Sequence, residues 1–143
     1  YSNMKIRKFN ENNSFLVLDN QEKFESELSM SYDLWRKRVF EIIDRNPSNF
    51  KNCHLELTEI IDDIYNTLDR IYHGKKEVEK EIKRLEILNQ TKEIDIDYYN
   101  LLEESLISLD EKKSNLKKFE FLIRTLSDNL NQSSVVLDKI ARF

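Results

Sequence analysis

Only one glycine and one proline occur in 143 residues. Sheets need tight turns at short intervals, and turns draw on those two residues, so their scarcity excludes a multi-stranded sheet or barrel. A single cysteine, Cys53, excludes an internal disulfide and fits a reducing compartment. The only two histidines, His54 and His73, sit in no HExxH or ExxH pattern, and no glycine-rich phosphate loop is present. No apolar run approaches the roughly 20 residues needed to span a bilayer. With 23 basic against 27 acidic residues the net charge is -4, which speaks against a general nucleic-acid binder.

What remains is charge and aliphatic side chains. Charged residues make up 35% and hydrophobic residues 39%, a balance suited to long amphipathic helices that share narrow seams. Leu57, Ile61, Ile64, Leu68, Ile71, Lys75, Val78, Ile82, Leu85 and Asn89 advance in alternating steps of four and three. That period lays one apolar stripe along a helix and is the coiled-coil signature. Lys75, with Gly74 beside it, is the flaw in the stripe.

Taken in order, residues 1–18 read as an extended N-terminal tail, with a basic start (Lys5, Arg7, Lys8) and the apolar run Phe15-Leu16-Val17-Leu18. The chain opens Tyr1-Ser2-Asn3 before Met4, which fits either an added leader or a segment of a longer protein. Asp19 with Glu22 has capping-box spacing, so a first helix is expected over about 20–46, with Phe24, Leu28, Tyr32, Trp35, Val39 and Ile42 on its inner face. Pro47 ends it. Pro47 or Ser48 opens a second helix over about 48–92, in which Gly74 costs about 1 kcal/mol relative to alanine. Asp95 or Asp97 caps a third helix over about 97–141. Its seam reads Tyr99, Leu102, Leu106, Leu109, Lys113, Leu116, Phe119, Ile123, Leu126, Leu130, Ser133, Leu137, Ile140, with a stammer between Leu116 and Phe119.

Folding back near residue 94 sets Leu85 against Leu102, Val78 against Leu109, Ile64 against Ile123 and Leu57 against Leu130. It also sets Lys75 against Lys113. The expected fold is all-α. It is a three-helix antiparallel bundle over 19–143, whose two long C-terminal helices extend as a coiled-coil hairpin arm in an elongated rod. Phe24 should lie near Ile71 and Trp35 near Ile60.

Catalytic and metal chemistry find little support. Asp69 and His73 stand one helical turn apart, but a lone pair at that spacing reads as a solvated surface pair. Cys53 and His54 are neighbours, and neighbours on a helix point about 100° apart, so they form no thiol–imidazole dyad. Cys53 reads as a small buried or half-buried side chain. The sequons at Asn12, Asn89 and Asn131 read as chance in an asparagine-rich chain. The expectation is a protein that is not an enzyme and holds no cofactor or metal.

Two surface features remain. Lys75, Lys76, Lys80, Lys83, Arg84, Lys112, Lys113, Lys117 and Lys118 form a basic belt at mid-rod, interleaved with glutamates. Paired charges of that kind are ordinarily a solvated surface, and acidic-partner contact is the sharper reading. The second feature is an apolar surplus: Ile87, Leu88, Ile94, Ile96, Tyr98, Leu101 and Ile107 lie outside the seam and past the expected reach of the first helix. Burying them against the same arm of a second chain would give a homodimer.

The function expected is a non-catalytic oligomerisation and scaffold module of a larger cytoplasmic or nuclear assembly. Such a module would bind another protein helix to helix, as rods do in cytoskeletal, kinetochore and tethering complexes. The alternative is a dimeric module that presents its basic belt to an anionic membrane surface.

Overall fold

Among the described residues four helices form: α1 (Ser14–Arg45), α2 (Phe50–Leu88), α3 (Ile96–Asp128) and α4 (Ser133–Ala141), with one 3-10 turn, Leu130–Gln132, between α3 and α4. The structure is a computed structural model and describes residues 14–45 and 49–143, among which no strand occurs. The all-helical class expected from the missing turn residues is the class that forms. Lys5, Arg7, Lys8, the Asn12 sequon and the turn at Pro47 lie outside the described residues.

Helix α1 starts earlier than the capping pattern suggests. Residues 14–18 are its first turns and not an extended tail, and Asp19 lies inside the helix. The reason is periodic burial: half-buried Val17 is followed at steps of four, three and four by buried Gln21, Phe24 and Leu28. A stripe that continues inward outweighs the weak helix preference of a Val-containing aromatic run.

The other helix ends are set by side-chain caps. Asn49 Oδ1 accepts the Asn52 N–H at 3.1 Å, so α2 opens at Phe50 behind an asparagine cap and not at Pro47 or Ser48. Asp95 Oδ1 accepts the Tyr98 N–H at 3.2 Å and starts α3 at Ile96. Helix α2 stops at Leu88, short of residue 92, where Gln90 and Thr91 donate to carbonyls only three residues back, at 3.2 and 3.1 Å.

The third helix does not run to residue 141. It ends at Asp128, and Asn129 leaves the helical region at φ -144 and ψ 71. Asn129, Asn131, Ser133 and Ser134 follow one another closely, and such side chains compete for the backbone groups that a helix needs. Beyond the break, α4 folds back. Ile140 becomes fully buried, and the Phe143 ring comes to 5.2 Å from Phe119 and 6.1 Å from Tyr32. A fully buried isoleucine alone is worth about 1.5–3 kcal/mol, which outweighs the broken turn.

These helices are shared between two compact units. The first unit joins residues 14–26 to Arg70–Lys112. Its core is Phe24, Ile71, Val78, Leu85, Tyr98, Leu102 and Leu109, so Tyr98 and not Tyr99 begins the α3 seam. Within it α2 and α3 run antiparallel, tied by Lys75–Asp110 at 2.5 Å, Tyr98–Glu81 at 2.7 Å and Tyr99–Glu86 at 2.9 Å. Lys75, the flaw in the stripe, is thus paired with a carboxylate. Phe24 lies under the Arg70 guanidinium, 4.8 Å from ring centre to Cζ, one residue from the expected Ile71 level.

Gly74 has a packing role. A methyl group there would stand 2.9 Å from Gln21 Oε1, so the glycine makes room for the buried Gln21 amide. The second unit joins Glu27–Asp69 to Lys113–Phe143. Trp35, Val39 and Ile42 of α1 are buried in it, with Leu57, Ile60 and Ile64 of α2, Leu116, Phe119, Ile123 and Leu126 of α3, and Ile140 of α4. Leu130 sits half-buried in the 3-10 turn, so the buried α3 seam stops at Leu126.

The Gly74–Gln21 contact gives a stability test. Gly74→Ala in a Gln21→Ala background should gain about 1 kcal/mol of helix propensity in urea unfolding. In the presence of Gln21 the same change should gain less than half of that, because the amide must swing aside. Equal gains in both backgrounds would show that the contact carries no energy.

Candidate interaction surfaces

The apolar surplus divides once it is folded. Tyr98 belongs to the core at 3% exposure, its hydroxyl donating to Glu81 Oε2. Leu88 and Ile94 are half-buried. Ile87, Ile96, Leu101 and Ile107 are exposed by 62%, 58%, 47% and 61%. Helix geometry explains where they point. Residues two apart differ by about 200°, and Ile87, Ile96 and Ile107 each stand two positions from a core residue (Leu85, Tyr98 and Leu109), so they face away from the seam. Leu101, one position from Leu102, faces sideways. It shares a cleft of roughly 400 Å³ with Leu18 of α1, rimmed by Asp19, Glu22, Glu25 and Glu104. Helix α1 therefore reaches further along this unit than its expected length allowed. The structure brings Ile96 and Ile107 onto one face of α3 and sets Ile87 on α2 and Leu101 on the α1 side.

The basic belt also divides. In the first unit Lys75 pairs with Asp110, Lys76 with Glu79 at 4.0 Å, Arg84 with Glu81 at 2.6 Å and Lys112 with Glu25 at 2.9 Å. Lys80 and Lys83 are exposed there. The Glu81 carboxylate, 7% exposed, accepts from Arg84 Nε, Arg84 Nη2 and Tyr98 Oη, which satisfies a charge that burial would otherwise penalise. Its hydrogen bonding holds the Arg84 guanidinium above its ordinary value. The Lys112 ammonium, by hydrogen bonding, holds the Glu25 carboxyl below its ordinary value of 4.5 against the opposing effect of burial.

In the second unit Lys117 and Lys118 line an open groove of roughly 960 Å³ with Phe121 of α3 and with Lys139, Arg142 and Phe143 at the chain's end. Lys117, Lys118 and Phe121 fall on one face of α3 by their spacing of three and four. Lys139 arrives from α4 and Arg142 from the turn just after it. Lys113 is exposed. Lys139, Arg142, Phe143 and Tyr32 had no place in the sequence reading of this surface. The signal that would have found them is the Asn/Ser run at 129–134, which ends α3 and returns α4.

Tyr32 forms part of the wall of the groove and the centre of an aromatic cluster, 5.6 Å from Trp35 and 5.1 Å from Phe119 with edge-on rings. Its hydroxyl is shut from solvent and finds no hydrogen-bond partner among the described residues, and burial pushes the phenol up to about 12.

Candidate chemistry is sparse. Cys53 is buried, its Sγ 3.9 Å from the Ile42 carbonyl, and burial with the Glu56 charge pushes its thiol up, away from a reactive thiolate. His54 Nδ1 lies 2.6 Å from Ser127 Oγ, a pair joining α2 to α3. Ser127 sits within helix α3, and among the described residues no carboxylate bonds the far ring nitrogen of His54, so the pair lacks the orienting group of a nucleophile–base relay. Asp69 and His73 are exposed, and among the described residues no cluster of three or more His, Cys, Asp or Glu is placed to hold a metal. No helix among the described residues is long and apolar enough to cross a membrane. Compared with family models, curated proteins and solved structures, the chain matches none.

Two tyrosines should respond in opposite directions to loss of the hydroxyl. Tyr98→Phe removes a donor from buried Glu81 and should lower stability by about 2 kcal/mol, whereas Tyr32→Phe removes an orphaned buried hydroxyl and should raise it by about 1 kcal/mol. Urea unfolding followed by circular dichroism reads both, and a loss at Tyr32 would mean that its hydroxyl is satisfied in solution. Glu25 predicts a pH effect. Its contribution is fully present above pH 4.5 and is lost as pH falls through the lower native value. Glu25→Gln should cost about 0.3 kcal/mol at pH 7, the small size following from solvent exposure, and the cost should shrink as pH falls below 4.5.

Proposed function

We propose that this chain is a non-catalytic oligomerisation and scaffold module that acts through helix–helix protein binding within a larger assembly. In this reading the heptad stripes of α2 and α3 form a coiled-coil hairpin, and a second copy of the chain packs on its first unit. The observation that carries it is the exposure of Ile87, Ile96, Leu101 and Ile107 in a unit whose core is a narrow seam. Large aliphatic side chains on outward helix faces gain free energy when another helix covers them, about 25 cal/mol for each Å² removed from water. Ile96 and Ile107 share one face of α3, and that face is the first surface a partner helix would take.

Pairing of charges supports protein binding over the mid-belt membrane reading. Lys75, Lys76, Arg84 and Lys112 each lie against a carboxylate of the same unit, which weakens the field they could present to anionic lipid.

Light scattering behind size-exclusion chromatography tests the proposal. The wild type should give twice the 17.3 kDa of one chain. An Ile96→Asp, Leu101→Asp, Ile107→Asp variant should give one chain's mass with unchanged helical content, since all three positions are exposed. A monomeric wild type at micromolar concentration would overturn the homodimer, and an unaltered dimer in the variant would move the interface elsewhere.

A further inference from the structure

The groove of the second unit differs from the rest of the surface. Acidic residues outnumber basic ones in this chain, 27 to 23, yet the groove is lined by four cationic side chains and by no aspartate or glutamate. Among the described residues, Lys117, Lys118 and Lys139 enter no ion pair, in contrast to the paired cations of the first unit. Arg142 spends its Nε on the Asp138 carbonyl at 3.2 Å and keeps its terminal nitrogens for other acceptors. Four like charges drawn to one cleft repel one another, and an anion seated among them relieves that repulsion.

The walls add a second requirement. Phe121 is 66% exposed and Phe143 40%, and both line the same groove. A bare inorganic anion would use the cations and leave both rings in water. A long polyanion would need a track of cations, whereas these converge on one cleft.

We propose that this groove binds an amphiphilic anion. Its phosphate or carboxylate headgroup lies between Lys117 and Lys118 of α3 and Lys139 and Arg142 of the α4 end, and its acyl or aryl part lies on Phe121 and Phe143. Charge-assisted hydrogen bonds hold the headgroup, with the arginine fork suited to paired oxygens. Apolar contact holds the tail, and the lysine stems add to it. The size of the groove is that of a site for one small molecule.

Trp35, the only tryptophan, stacks edge-on against Tyr32 of the groove wall and gives a built-in reporter. The full chain is titrated with dodecyl phosphate below its critical micelle concentration, with inorganic phosphate and dodecyl maltoside as probes lacking the tail or the charge. Saturable binding of dodecyl phosphate with a Trp35 emission change is expected, at least about tenfold tighter than either control. A Lys118→Glu, Lys139→Glu variant, altered only at exposed positions, should lose at least about tenfold in affinity while its helical content stays unchanged.

Equal affinity for inorganic phosphate would overturn the amphiphile, and equal affinity of the charge-reversed variant would overturn the site. Sedimentation with phosphatidylcholine vesicles, with and without phosphatidic acid, separates the two sources. Pelleting only with phosphatidic acid assigns the headgroup to a bilayer, and binding of monomers without pelleting assigns it to a free amphiphile. Neither pelleting nor monomer binding would end the proposal.

Discussion

Each helix of this chain can bury only one narrow stripe, and every other feature of the structure follows from that limit. An isolated helix of this composition is marginal in water, because backbone hydrogen bonds alone barely offset the ordering of the chain. Stripes of Ile, Leu and Val must therefore find one another. In the first unit Ile71, Val78 and Leu85 of α2 meet the requirement with Leu102 and Leu109 of α3, while α1 supplies Phe24. In the second unit the stripe is widened by Trp35 and Phe119, whose rings lie 6.0 Å apart, and by Ile140 from α4.

A narrow seam leaves little tolerance for polar groups, and the polar groups that enter it are matched one by one. Gly74 yields its side-chain volume to Gln21. Lys75 reaches Asp110, and buried Glu81 is held by Arg84 and Tyr98. The matched groups give the seam its register, since sliding α3 by one turn would strip Glu81 of a donor and leave Tyr98 Oη without an acceptor. Among the described residues, the buried Tyr32 hydroxyl is left without a partner, in the second unit beside the cationic groove.

The two units present different surfaces. Around the first, cations are paired with carboxylates and the outward helix faces carry aliphatic side chains, an arrangement suited to another helix. The second unit pairs Arg36, Arg38, Arg45 and Arg124 with carboxylates, but along its groove Lys117, Lys118 and Lys139 stand beside exposed Phe121 and Phe143, an arrangement suited to an anion with an apolar tail. Neither surface includes Cys53 or the two histidines.

The helical class, the inner faces of α1 and α2 and the turn near residue 94 were legible in residue order, because periodicity and turn chemistry act over a few residues. The cap of α3 was legible as Asp95 or Asp97, and Asp95 is the one that accepts the Tyr98 N–H. Other features depend on partners remote in the chain. Whether residues 14–18 are helix was settled by a stripe that continues into Gln21 and Phe24. Whether Tyr98 or Tyr99 faces inward was settled by where Glu81 stands. The break at Asn129 was written in an Asn/Ser run, but the return of α4 was decided by the burial of Ile140 and the packing of the half-open Phe143 ring on Phe119. In an unbroken helix Lys139 would lie roughly 33 Å along the axis from Lys117, and no groove would exist. Local chemistry sets which residues can form a helix and where it can stop. The burial available from distant residues decides which of those stops is used, and here that choice creates the groove.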